Sequence, residues 1–303
     1  MRLSILLRTG IYAIEHSRSV YCEANQNLRN ILEKWKVICH RYGVQLYYGS
    51  FRISFEFVDG IYRIKDDIDF YHRLGVESFY MESNTNRFAM SFQKMTLYVL
   101  ARLEWDKTLD TDDLIEEFCE NYYKAASPYV LKYFRYMMDY YAKTRERITY
   151  LTGKKYAYGM CLLDTVPQGF WGLNAVYDAS LLLDDADKAI DEANYDEALK
   201  EKLHDRIEAE RMTLFHIQLE YYNKETSAYD EMRTINTFPK EKVLELCDRV
   251  ERFVKKFGVK RINGDGLALE TIEGWRQRAI NNPRFWEERI YRERARFNDA
   301  CKE

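Results

Sequence analysis

The first 85 residues constrain the chain most, because short apolar runs alternate there with segments of helical spacing. Leu3 to Leu7 and Ile11 to Ile14 are apolar runs that end at Glu15-His16-Ser17. Leu28, Leu32, Trp35 and Ile38 then recur at helical spacing up to Tyr42, and Gly43 stands where a helix stop is expected. Val44 to Tyr48 reads as a strand ending at Gly49-Ser50. A loop with Phe51, Phe55 and Phe57 leads to a helix near Lys65 to Leu74, with Ile68, Tyr71 and Leu74 on one face and Gly75 as its stop. Val76 to Met81 forms a further strand pattern, ending at Glu82-Ser83-Asn84. This order implies parallel strands joined by crossover helices. Such units build open α/β sheets or closed (β/α)8 barrels. A barrel takes eight strands and about 250 residues. The expectation is therefore a small sheet, or the C-terminal units of an incomplete barrel.

From about Gln93 onward the strand signals stop. Thr96 to Leu103 reads as a helix, broken at Trp105-Asp106-Lys107. Asp110 is placed to cap the next helix, whose face carries Leu114, Phe118 and Tyr122. Ser127-Pro128 reads as an N-cap with Pro at the first helical position, ahead of Val130, Phe134, Met138 and Tyr141. After a less regular stretch with Phe170-Trp171, one helix carries Val176, Leu183 and Ile190. A long helix follows across a turn at Asn194-Tyr195, with Leu199, Leu203, Ile207, Leu214 and Ile217. Another opens at Pro239 and closes at Gly258, and the tail carries Trp275, Ile280, Trp286 and Tyr291. Helix pairs with short turns suggest a bundle. The fold class expected is α/β followed by all-α, with residues 1–104 as barrel units and residues 105–303 as a helical domain. Only 13 Gly and 4 Pro in 303 residues fit such a mostly helical chain.

The formal net charge of −3 gives no electrostatic case for nucleic acid or an anionic membrane as partner. No stretch approaches the ~20 apolar residues of a membrane-spanning helix. Cys22, Cys39, Cys119, Cys161, Cys247 and Cys301 are scattered without CxxC spacing, so free and mostly buried thiols are expected. No metal is expected: His16 has no partner at ligand spacing. No phosphate loop, dinucleotide fingerprint or nucleophile elbow appears, and no cofactor is expected. Asp184-Asp185 and Asp187 read as a solvated helix face. Phe170-Trp171 could offer a sugar platform, but core packing is the plainer reading.

The segment from Glu82 to Ala126 carries a resemblance. It runs through Leu97-Tyr98-Val99-Leu100-Ala101-Arg102-Leu103-Glu104-Trp105-Asp106, then Asp110 to Phe118, then Tyr122-Tyr123-Lys124-Ala125-Ala126. This resembles a bacterial domain-of-unknown-function family related to alpha-glucuronidases, in which a final barrel strand leads through such helices into a helical domain. Lys124 stands where that family favours Gly. Ala13-Ile14-Glu15-His16, Trp35, Leu46-Tyr47-Tyr48 and Gly75-Val76 fit its last barrel units, so the resemblance covers roughly residues 1–140. It implies a glycoside-hydrolase-like barrel whose earlier strands are absent here, and thus a fragment with an incomplete active site.

In (β/α) barrels the active site lies at the carboxyl ends of the strands. Those ends offer Glu15 and His16, then Tyr48, then Glu82 with Asn84 and Asn86. Glycoside hydrolysis commonly uses two carboxyl groups, about 5–5.5 Å apart for retention or about 6.5–9.5 Å apart for inversion. Glu82 and Glu15 are the candidate catalytic pair; Tyr48, His16, Asn84 and Asn86 are the candidate substrate-binding residues. Plain alternatives stand beside them: Glu15 pairing with Arg18, Glu82 with Arg87, and Tyr48 as a packed side chain with a satisfied hydroxyl. Two functions follow as expectations. One is a glycoside-hydrolase-like protein acting on or binding polysaccharide. The other is a non-catalytic helical module that needs a partner chain, or a second copy, to cover the open strand edge.

Overall fold

The computed structural model describes residues 4–8, 18–38, 41–50, 52–82, 91–153, 162–168, 171–222, 240–264 and 266–281. Strands β1 (Ser4–Arg8), β2 (Arg41–Tyr47) and β3 (Ser78–Glu82) form a parallel sheet in the order β1-β2-β3. Helices α1 (Gln26–Ile38) and α2 (Arg63–Leu74) are the crossovers. The period reading of this region therefore holds. The described strands form an open sheet and not a barrel, since closure would take about eight of them.

One boundary differs from the sequence reading. Gly43 does not end a helix. It lies inside the central strand, opposite Leu6 on one side and Ser78 on the other. A central strand satisfies buried backbone groups on both edges, and that pairing claims Tyr42 and Gly43 from the helix. Gly75 does act as a stop: it takes φ 80°, and its N–H bonds back to His72 and Tyr71.

The helical part runs α3 (Gln93–Trp105), α4 (Thr111–Tyr123), α5 (Ser127–Thr152), α6 (Leu173–Glu192), α7 (Glu197–Tyr222), α8 (Lys240–Phe257) and α9 (Ala268–Asn281). Asp110 caps α4 as its spacing predicts, accepting from the N–H groups of Asp112 at 2.8 Å and Asp113 at 3.2 Å. Ser127 is not a cap. The chain passes from α4 through a short 3-10 turn (Lys124–Ala126) straight into α5, and Ala126 is already helical at φ −78°, ψ −11°. A cap needs extended backbone at that point, and none is present.

One apolar core runs from Val20 through the sheet and helices α2 to α6 to Ile217 on α7. A second joins Phe55 with Met212, Phe215 and Leu219 of α7 and with α8 and α9. α7 serves both, so every residue from Glu210 to Leu219 is buried. A helix buried all round is ordinarily apolar all round; this one carries Glu210, Arg211, Thr213, His216 and Gln218 inside. Arg211 reaches back to Asp187 at 2.6 Å and Asp184 at 2.8 Å on α6. Asp187 is thus an ion-pair partner rather than part of a solvated face; the pairing arises because α6 and α7 lie side by side. Trp171 is a core residue, edge-on to Tyr140 and Tyr141, with its indole N–H on Thr165 at 2.8 Å. Cys119 and Cys247 are buried free thiols and Cys22 is a half-buried one. Among the described residues no helix is long and apolar enough to cross a membrane, and no three His, Cys, Asp or Glu side chains are grouped to hold a metal.

Lys124 takes φ 55°, ψ −123°, in a region that glycine occupies freely and other residues enter under strain. It is the position at which the resembled family favours Gly. Lys124→Gly is expected to stabilise the protein by about 1 kcal/mol and to raise the melting temperature by a few degrees, while Lys124→Ala does not. An unchanged or lower melting temperature for the glycine variant would show that the turn is unstrained.

Candidate functional site

The register sets Tyr47 beside Glu82, so Tyr48 and Glu82 lie at the same carboxyl edge of the sheet. The backbone of Glu82 ends β3, but its side chain lies outside the described residues, as do Glu15, His16, Asn84 and Asn86. Tyr48 is described and is 3% exposed. Its hydroxyl donates to Asp67 Oδ2 at 3.0 Å, and Arg63 Nη1 donates to the same oxygen at 2.8 Å. The N–H of Val20 donates to the other oxygen at 3.0 Å, and the Arg63 guanidinium lies 4.3 Å over the Tyr48 ring. Burial pushes the Asp67 carboxyl up from its usual range, with Arg63 opposing. Burial likewise holds the Tyr48 phenol well above its ordinary value.

Beside Tyr48, Glu56 is 1% exposed and accepts from Tyr141 Oη at 3.0 Å and from the N–H of Leu163 at 3.2 Å. Burial pushes its carboxyl well above the usual range. Tyr48, Glu56, Asp59 and Arg63 border a cavity of only about 20 Å³. That is space for about one water, and these groups take their partners from the surrounding protein: Tyr48 and Arg63 from Asp67, Glu56 from Tyr141 and Leu163, and Asp59 from Arg145 at 2.8 Å. Glu56 carries a signal in its neighbours, as an acid between Phe55 and Phe57 in an apolar stretch. Asp67 carries one too, four residues after Arg63 on a helix, the spacing of an ion pair.

A roomier site lies where the start of α3 meets α4, α7 and α8. It is a cleft of about 170 Å³ bordered by Gln93, Lys94, Tyr122, Arg206, Glu210 and Phe253 among others. Glu210 is its buried acid. Its Oε2 accepts from Ser91 Oγ at 2.6 Å and from the N–H of Phe92 at 3.1 Å, and its Oε1 accepts from Tyr123 Oη at 2.7 Å. Burial pushes this carboxyl up to about 7, against the pull of those donors and of Lys94. Phe92, at the head of α3, takes φ 56°, ψ 15° in the left-handed region. A large side chain there is strained, and such strain concentrates at working sites.

Cationic groups line the same cleft. Lys94 donates to Tyr122 Oη at 2.8 Å, and burial followed by the nearby Arg206 lowers its ammonium pKa. The Arg206 guanidinium lies 3.9 Å over the Tyr122 ring and donates to the Tyr122 carbonyl. Gln93 is 5% exposed, and its side-chain Nε2 has no hydrogen-bond partner. Phe253 and Phe257 supply apolar wall. The arrangement combines a carboxyl that exchanges its proton near neutral pH, cations and an unmet buried donor. Sequence reading missed it, because Glu208-Ala209-Glu210-Arg211 looks like an ordinary solvated helix face.

Residues 7–135 match the family model described as a domain of unknown function, DUF4838. The matched segment carries β2, β3 and α1 to α4, and with them Tyr48, Asp67, Gln93, Lys94 and Tyr122. Arg206 and Glu210 lie beyond it, so the cleft is built jointly by the matched segment and by α7 and α8. Comparison with curated proteins and with solved structures returns no match.

Because the folded state holds the Glu210 proton to about pH 7 and the unfolded chain only to about 4.5, this group favours folding fully below 4.5. That support is lost as pH rises through about 7. Glu210→Gln keeps the shape and has no proton to lose. The stability of wild type relative to this variant is expected to fall by about 3 kcal/mol between pH 4 and pH 8. Denaturant titrations across that range check it; parallel profiles for the two proteins would contradict it.

Proposed function

We propose that this chain is a glycoside-hydrolase-like protein that binds polysaccharide through an acidic sugar residue held in the Glu210 cleft. The observation that carries the reading is the pairing of Lys94 and Arg206 with the unmet donor of Gln93 in one cleft. Cations and N–H donors converging on one space suit a carboxylate-bearing ligand. The N-terminal end of α3 adds its positive dipole there. At about 170 Å³, the space is below the ~300 Å³ at which pockets hold drug-sized molecules. It suits a single ring rather than a long oligomer. The resemblance of residues 1–140 to a family related to alpha-glucuronidases supports the same ligand class.

Hydrolysis, in this reading, belongs to the carboxyl edge of the sheet, with Glu82 and Glu15 as the acid and its partner. Glu82 lies at that edge beside Tyr47, and the strand-end rule supports the assignment. The Tyr48–Arg63–Asp67 network beneath would hold the edge rigid.

Calorimetry with glucuronate-bearing oligosaccharides and their neutral counterparts tests the binding. The acidic ligands are expected to bind, with affinity falling as salt rises. Lys94→Met is expected to weaken them about tenfold or more, a loss of about 1.4 kcal/mol. Equal binding of neutral oligosaccharides, or an unaffected Lys94→Met variant, would refute the acidic-sugar reading.

A further inference from the structure

A third cavity, of about 320 Å³, lies apart from the Glu210 cleft, at the carboxyl-terminal half of α7. His216 and Glu220 border it from α7, Asn263 from the loop before α9, and Arg52 and Asp164 from the facing segments. The backbone fixes these walls. Ser54 N–H donates to the Ile262 carbonyl at 2.8 Å, Gly264 N–H donates to the Arg52 carbonyl, and Ile53 bridges to Asn263 in antiparallel fashion.

The wall is left unsatisfied. His216 is 1% exposed, and neither ring nitrogen has a hydrogen-bond partner. Phe55 and Trp275 pack edge-on against the ring at 6.4 Å and 5.7 Å between centroids. The side-chain oxygen of Asn263 is likewise buried and unbonded. Buried polar atoms are almost always bonded, and exceptions need a reason. Three such atoms border one cavity, and two of them, one nitrogen of a neutral His216 ring and the Asn263 oxygen, are acceptors that a bound donor group can meet.

The donor balance selects the chemistry. Burial pushes the His216 imidazole down to about 4, so the ring is neutral and one nitrogen is an acceptor. The Asn263 oxygen is an acceptor. Glu220 adds a carboxylate, whose Oε1 takes the Trp275 indole N–H at 2.8 Å and the Asn263 amide at 3.4 Å. No cation among the described residues pairs with Glu220. Asp164, by contrast, is neutralised by Arg52 at 2.9 Å. The inner wall therefore holds three kinds of acceptor, one of them a carboxylate with no cationic partner among the described residues. Glu220 and His216 are four residues apart on one helix face, so their acceptors converge.

We propose that this cavity is a binding site for a primary ammonium group, whose three N–H donors meet Glu220, the Asn263 side-chain oxygen and the acceptor nitrogen of His216. A divalent metal is a poorer fit, since no three His, Cys, Asp or Glu side chains among the described residues are grouped to hold one. A neutral hydroxyl compound would leave the Glu220 charge without a counterpart. The site shares no side chain with the acidic-sugar reading, so either proposal stands or falls alone.

Melting temperature is followed with methylammonium and ethylammonium chloride, with tetramethylammonium chloride at equal ionic strength, and with glycerol. The two primary ammonium salts are expected to raise it in a saturable way beyond the tetramethylammonium control, which has the charge but no N–H. Methylammonium is also expected to shift one ring nitrogen-15 resonance of His216. His216→Phe keeps the packed ring and removes both unmet atoms. It is expected to melt at or above wild type while losing the ammonium response. Glu220→Gln, which keeps the acceptor for Trp275, is expected to weaken the response at least tenfold. Tetramethylammonium or glycerol matching the primary ammonium salts, a response retained in His216→Phe, or no response from wild type would each overturn the proposal.

Discussion

The burial of the Glu210 carboxyl is the constraint on which the helical part depends. One oxygen holds Ser91 and the head of α3 through Phe92, and the other holds the end of α4 through Tyr123. The Glu210 main-chain carbonyl takes the Tyr133 hydroxyl of α5 at 3.1 Å. A single residue of α7 thereby fixes three other helices. Leaving such a group unbonded in the interior costs about 1–3 kcal/mol, and more when charged, so those helices are held to the positions that satisfy it. The protonated form suits burial best, which is why the carboxyl exchanges its proton near neutrality.

The same logic extends along α7. Buried over ten consecutive residues, the helix meets the first core on one side and the second on the other. Each polar residue on it needs a partner from a neighbouring element. Thr213 finds the Phe55 carbonyl at 2.6 Å, and Arg211 finds Asp187 and Asp184. His216 finds none. The sheet contributes at its carboxyl edge, where Tyr48, Arg63 and the Val20 N–H all bond to Asp67 and leave space for little more than one water. Of the three cavities described above, the two larger lie against α7 and not in the sheet itself.

Local structure was legible where local physics decides it. The alternation of apolar runs and helical spacing gave the parallel strands and crossovers, and Asp110 gave its cap. Gly75 announced a helix stop because a left-handed residue is needed there. Gly43, the same residue type, was misleading, because strand pairing on both sides outweighs a local stop signal. Ser127 misled similarly, since whether a serine caps a helix depends on the backbone ahead of it. Glu210 and His216 were not legible at all. Their neighbours on α7 are charged or mixed in character, and only the wrapping of that helix by others removes them from water. Tyr48 was legible as a strand-end residue, and its satisfied hydroxyl was one of the readings open from the outset.

Glu210 is a buried, hydrogen-bonded carboxyl poised to exchange its proton near neutral pH. Carbon-13 NMR of the glutamate side chains, assigned with Glu210→Gln and followed across pH, tests it directly. A midpoint for Glu210 near the raised value of about 7 is expected. A midpoint near 4.5, the value of an ordinary glutamate, would contradict it.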